Sequence, residues 1–108
     1  DAKALATYGP AGLNVVPVSV VTLNPTTIQL YNFFMDKTVT NIVVNREVAL
    51  TAWRGLHGVQ VRGEVEYVTA GQAFEIAVNE MRTRFPERTL RGVILIAPTA
   101  VFDVSVSA

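Results

Sequence analysis

From Val59 to Val68 the side chains alternate between two faces, with Val59, Val61, Gly63, Val65 and Tyr67 on one and Gln60, Arg62, Glu64, Glu66 and Val68 on the other. A period of two over ten residues predicts a strand with one face in the core and the other largely polar. Gly63 in its middle predicts a bend, a bulge or the close approach of another group. Less regular strands are expected from Lys3 to Tyr8, Asn14 to Leu23, Ile28 to Phe34, Val48 to Trp53, Arg91 to Ile96 and Val101 to Val106. The turn-forming runs Gly9-Pro10-Ala11-Gly12, Asn24-Pro25-Thr26-Thr27 and Ala97-Pro98-Thr99 divide them, with Arg54-Gly55-Leu56-His57-Gly58 as a flexible loop. In the strand from Asn14 to Leu23, Val16, Val18 and Val20 share one face, while Val15, Pro17, Ser19 and Val21 share the other. Pro17 cannot donate to a ladder, so it marks an edge, a bulge or a place where something other than a strand lies alongside.

Two segments change to helical spacing. Between about Lys37 and Asn45, Val39, Ile42 and Val43 are expected to face inward, and Thr40, Asn41 and Asn45 to lie nearer solvent or a ligand. The second opens on Thr69-Ala70-Gly71-Gln72, which has capping-box spacing, and carries the stripe Phe74, Ala77, Val78, Met81 and Phe85 before Pro86 stops it. Arg82, Arg84 and Arg88 read as its solvated basic end. About seven short strands with one short and one longer helix favour a closed or nearly closed barrel over a doubly wound sheet. No Gly-x-Gly-x-x-Gly or Walker-type loop is present, which excludes dinucleotide and nucleoside-triphosphate enzymes of those classes.

Length adds one constraint: 108 residues, half of them apolar, make a single domain over 1–108. Nine basic and nine acidic residues cancel and are scattered, so nothing marks a nucleic-acid or membrane partner. The absence of cysteine removes disulfides, thiolate nucleophiles and cysteine-held metal centres, in keeping with a cytoplasmic protein. No apolar run approaches a transmembrane span.

The chemistry concentrates between Asn32 and Arg46. There an aromatic and apolar strand end, Phe33-Phe34-Met35, runs through Asp36-Lys37-Thr38 into a helix. A lysine and a threonine hydroxyl at a helix start can complete a phosphate site. An aromatic surface beside it suits a ligand with a flat ring and a phosphate, such as FMN. The same residues also read as ordinary capping and core packing. His57, the single histidine, has no cysteine or acidic orienter beside it in the sequence. It therefore forms no triad, and neither a catalytic nor a metal residue is assigned.

Taken in order, Asn14-Val15-Val16-Pro17-Val18-Ser19, then Phe34-Met35-Asp36-Lys37-Thr38 with Asn41-Ile42 and Asn45, then Gly58-Val59-Gln60-Val61-Arg62-Gly63 resemble the FMN-binding split-barrel family. That group includes pyridoxamine 5'-phosphate oxidases, small FMN-binding proteins and flavin reductases. The resemblance implies a mainly β fold with two helices, a Greek-key-like split barrel of about six to seven strands, forming a homodimer with flavins at the interface. It implies that Val16, Pro17 and Val18 line the flavin ring and that Phe33, Phe34 and Met35 wall the path to the phosphate. Lys37 and Thr38 would bind the phosphate, with Asn41 a further contact, and Gln60 and Arg62 would approach the flavin, often from the partner subunit. The implied activity is that of an FMN-dependent oxidoreductase or electron-transfer protein acting with a small-molecule donor or acceptor. The alternatives are a non-catalytic FMN carrier and a deazaflavin-dependent reductase. Relatives usually begin with a helix, whereas this sequence starts at Asp1 on the first strand. It also lacks the C-terminal basic segment of pyridoxamine oxidases proper, so pyridoxamine phosphate is not the expected substrate.

Overall fold

A computed structural model describes residues 2–106. The strands are β1 (Ala2–Gly9), β2 (Gly12–Pro17), β3 (Val21–Leu23), β4 (Ile28–Asn32), β5 (Glu47–Arg54), β6 (His57–Val68) and β7 (Gly92–Asp103). Helix α1 (Asp36–Ile42) follows β4, and α2 (Gln72–Arg84) follows β6. All seven strands belong to one antiparallel sheet in the order β2-β1-β5-β6-β7-β4-β3. The order forces its shape. β2 and β3 sit at opposite edges of a sheet that would be about 29 Å across if flat, yet Val18, Ser19 and Val20 alone join them. That link reaches at most about 14 Å. The sheet therefore rolls up until its edges nearly meet, which is a split barrel.

Alternation fills the roll from inside. Leu5 and Leu50 stand opposite each other, as do Val65 and Ile96, and all four belong to the inner core with Leu30, Val48 and Ile94. A second core lies outside the barrel wall, where Ala77 and Met81 of α2 pack on Tyr31, Phe33 and Val93. These are the outward partners of the inward Leu30 and Ile94. Both faces of β4 and of the first half of β7 are thus covered, which explains the unbroken apolar run from Val93 to Ile96, whereas β7 is mostly exposed from Ala97 on.

Several boundaries differ from expectation for identifiable reasons. The single strand expected from Asn14 to Leu23 is two strands, because Pro17 ends the pairing with β1 apart from one bond from the Val18 N–H to the Lys3 carbonyl at 2.9 Å. Pro17 lies on an edge strand, one of the placements its missing donor allows. The loop expected at Arg54 to Gly58 is a tight hairpin whose turn is Gly55 (φ +57°) and Leu56, with His57 already paired to Arg54. The two last strands are one. Pro98 does not break β7, because the ladder shifts register between Arg62 and Gly63 and leaves Thr99 as the extra residue of a bulge. A Cβ on Gly63 would stand 2.5 Å from the Ala97 carbonyl oxygen, so the strand needs glycine for close approach as well as for the bulge. The capping box is not formed: α2 starts after Gly71, whose φ of +94° turns the chain, and no side chain caps it.

Helix α1 is rotated by one residue from its expected phase. Thr38, Asn41 and Ile42 are buried, whereas Val43 is 62% exposed. The reason is polar. The β1–β2 hairpin presents backbone and hydroxyl groups to this helix, and Asn41 satisfies them: its Oδ1 accepts the Ala11 N–H (2.8 Å), while Nδ2 donates to Thr7 Oγ1 (3.1 Å) and the Gly12 carbonyl (2.9 Å). Thr38 Oγ1 accepts from Asn14 Nδ2 at 3.0 Å. Buried polar groups are stable only when paired, and here they are. Among the described residues no helix is long and apolar enough to cross a membrane.

Candidate functional site

Where β4 ends, Asn32 organises the turn into α1. Its Oδ1 accepts the Met35 N–H at 2.7 Å and its Nδ2 donates to the Tyr67 hydroxyl at 2.8 Å, so the Phe33-Phe34-Met35 segment is tied to the barrel wall. Phe33 turns outward against Phe85, with ring centroids 6.0 Å apart at 73°. Phe34 is left 75% exposed, and Met35 packs on the inner core. Facing this segment runs the β2–β3 link. Between them lies an open cavity of about 340 Å³ bounded by Val16, Pro17, Val18, Ser19 and Val20 on one side and by Tyr31, Phe33, Phe34 and Met35 on the other.

Six of the residues singled out from the sequence therefore meet in one place. A seventh member of the cavity was read from the sequence as a solvated cation. Arg88 lies 4.4 Å from the Phe85 ring centroid and 5.4 Å from that of Phe33, and its guanidinium is the one cation on the cavity wall. Among the described residues no carboxylate pairs with it. No sequence signal could have placed it there, since it sits two residues beyond Pro86 and reaches the cavity only because α2 packs across Phe33. A guanidinium stacked on aromatic faces keeps its donor edge free and gains attraction from the rings.

The remaining residues are distributed differently. Lys37 is exposed on the first turn of α1. Asp36 beside it makes an ion pair with Arg91 instead of capping the helix. Thr38 and Asn41 are fully buried, and their side chains are engaged by the β1–β2 hairpin, so neither presents a polar atom to the cavity. Gln60 and Arg62 lie on β6, away from it. Arg62 Nε donates to Gln60 Oε1 at 3.3 Å and its guanidinium covers Phe102 at 4.8 Å. His57 lies on a separate cavity with Trp53 and Ser105. Among the described residues no three of His, Cys, Asp and Glu are grouped to hold a metal ion.

The sequence matches the pyridoxamine 5'-phosphate oxidase family over residues 2–107. No curated protein matches it. Several solved structures share the fold. HupZ from Group A Streptococcus is 22% identical with a TM-score of 0.86, the alignment covering 99% of this chain and 87% of that one. An FMN-binding protein from Syntrophomonas wolfei subsp. wolfei is 18% identical with a TM-score of 0.81, covering 98% and 78%. HutZ, the haem storage protein of Vibrio cholerae, is 15% identical with a TM-score of 0.72, covering 94% and 84%. At these identities the likeness is one of fold.

Proposed function

Because this chain belongs to the pyridoxamine 5'-phosphate oxidase family, we propose that it is an FMN-binding oxidoreductase or electron-transfer protein whose flavin lies against the Val16–Val20 link. The observation that carries this reading is the meeting of that link with Phe33, Phe34 and Met35 around one cavity. Its walls are valine, proline and aromatic side chains, and a single cation stands on them, a composition suited to a flat apolar ring with an anionic extension. At about 340 Å³ the cavity is at the small end for a cofactor site and is open. A partner protomer would complete it. Phe34 and, along β2, Leu13 and Val15 are 75%, 85% and 68% exposed, an apolar surface that a homodimer would cover. Gln60 and Arg62 would then reach the flavin of the other protomer.

In this arrangement the protein binds and orients. Bound FMN supplies the hydride or electron chemistry. Pro17 and Val18 leave few free backbone donors near the ring, because proline has none and the Val18 N–H is given to Lys3. Lys37, on the turn after Met35, supplies a mobile positive charge for the phosphate. The valine and aromatic walls exclude water from one face of the ring.

Haem, which HutZ stores, fits less well. Haem iron takes a histidine, cysteine, methionine or tyrosine ligand. This chain has no cysteine, and its one histidine is on another cavity. The Tyr31 hydroxyl is bonded to Thr22 (2.6 Å) and Gln29 (3.1 Å), which leaves Met35 alone. The deciding experiment is the visible spectrum of the purified protein, followed by titration of the apo form with FMN, riboflavin, the deazaflavin cofactor and haemin. Flavin bands or tight FMN binding support the proposal, with Lys37→Ala weakening FMN by about 1.5 to 3 kcal/mol. A colourless protein that binds no flavin overturns it.

A further inference from the structure

Helix α1 closes one end of the barrel, packing where β1 finishes at Thr7 and Gly9 and where β2 begins. The other end is open. There the inward rows of the strands continue past the core and meet nothing, leaving a cavity of about 490 Å³ whose deep wall includes Val21, Ile28, Leu50 and Val61. Leu50 and Ile28 are members of, or packed on, the inner core, so the cavity is the unfilled continuation of the barrel interior. Its mouth is chemically different. On β1 the inward row reads Lys3, Leu5, Thr7, which places a lysine where the row leaves the core, opposite Ala52. Arg84, at the last turn of α2, lines the same mouth. Among the described residues that line the cavity none is acidic, and no described carboxylate is paired with either cation. Leu23 stands on the rim 78% exposed.

We propose that the open end of the barrel, between Lys3 and Arg84, is a second binding site for a single-chain amphipathic anion, with an apolar tail in the barrel and a carboxylate-type head between the two cations. Interior residues in so small a barrel are normally packed against one another, whereas here the inner faces of Val21, Ile28, Leu50 and Val61 line an open cavity, apolar surface that a tail of matching chemistry would remove from water. Lysine on an inward row is equally unusual. A lysine side chain can lay its stem along apolar surface and carry its ammonium to the solvent, so a half-buried lysine lining the cavity suits an anionic head there. The cavity shares Ser19 and Val20 with the flavin cavity but has no other residue in common with it. The two sites are neighbours separated by the β2–β3 link, so this inference stands whether or not flavin binds.

Calorimetric titration of the whole chain with hexanoate, octanoate and decanoate below their micelle concentrations tests it. Affinity should rise about fourfold per methylene as the tail enters apolar surroundings. The double variant Lys3→Gln/Arg84→Gln should weaken decanoate about tenfold while leaving 1-decanol unchanged. Both substitutions are at the mouth and leave the core intact. Ala52→Phe, which fills the cavity from β5, should abolish binding of both, with the far-ultraviolet circular dichroism of the wild type as the check on folding. Three results overturn the proposal: no binding of decanoate by the wild type, equal binding of decyltrimethylammonium, or decanoate binding that survives Ala52→Phe in a folded protein.

Discussion

Asn41 Nδ2 donates to Thr7 Oγ1 across 3.1 Å, and both side chains are almost completely enclosed. The same amide holds Ala11 and Gly12, so one side chain from α1 fixes the turn that starts the barrel. Gly9 completes the contact, since a Cβ there would lie 2.9 Å from the Asn41 Cα.

Asn41→Leu should therefore act on stability. It strands the buried Thr7 hydroxyl and removes the partners of the partly buried Ala11 N–H and Gly12 carbonyl, and the expected loss is about 1 to 3 kcal/mol. Urea denaturation would show it as a lower midpoint. A variant of wild-type stability with only weakened FMN binding would mean that Asn41 is a ligand contact after all.

Gly63→Ala should also destabilise, for a steric reason. The added methyl meets backbone, the Ala97 carbonyl at 2.5 Å, which cannot rotate away, and the Ile96 Cγ2 at 2.7 Å. A cost of about 1 to 3 kcal/mol is expected from such overpacking. The damage should be local, with amide exchange quickening around Arg62 and Pro98, where the register shifts, before it does so in β1.

Arg88→Ala separates the cavity's charge from its walls. The loss of two ring contacts should cost about 0.5 to 1 kcal/mol of stability. If the guanidinium meets an anionic group of the bound flavin, FMN should weaken about tenfold and riboflavin should not. Equal weakening of the two would assign Arg88 to holding Phe33 and Phe85 in place. Fluorescence quenching of each flavin on titration distinguishes the outcomes.

The end of β7 carries a pH-dependent contact. Hydrogen bonds from the Ser105 side chain and backbone hold the Asp103 carboxyl below its usual range, and His57 adds a smaller pull in the same direction. The backbone bond is 2.9 Å long. A lowered folded value means that the contact contributes fully above the ordinary carboxylate pKa and is lost as pH falls through the lower folded value. The Ser105 amide resonance should titrate with a midpoint below 3.8, the ordinary value, and Asp103→Asn should remove the transition.

The strands were legible because their alternation is local, and the period of two holds in β6 from Val61 to Tyr67, whereas at its start Val59 is exposed and Gln60 half-buried. Pro98 misled for a physical reason. A proline and its neighbours usually break a strand, but here Thr99 absorbs the mismatch as a bulge, a compensation that depends on β6 and not on β7's own sequence. The phase of α1 was hidden in the same way. Val39, Ile42 and Val43 are the better apolar stripe, yet the hairpin beneath needed an amide and a hydroxyl, so Thr38 and Asn41 went inside. Of the candidate site, the walls could be read because valine, proline and aromatic residues cluster in sequence. Arg88 could not, because only the packing of α2 on Phe33 brings it there.

Val18, Ser19 and Val20 are the seam of the cylinder. Ladder hydrogen bonds hold every other join in the sheet, but at this point the two edges are held together by a covalent tether of three residues. A tether fixes how far the edges can part without fixing the angle between them. A change in that angle would break no ladder hydrogen bond, and it would alter the walls that Ser19 and Val20 give to the cavities on both sides. Were ligands to occupy both cavities, any coupling passed through Ser19 and Val20 would be reciprocal, each ligand changing the other's affinity by the same factor.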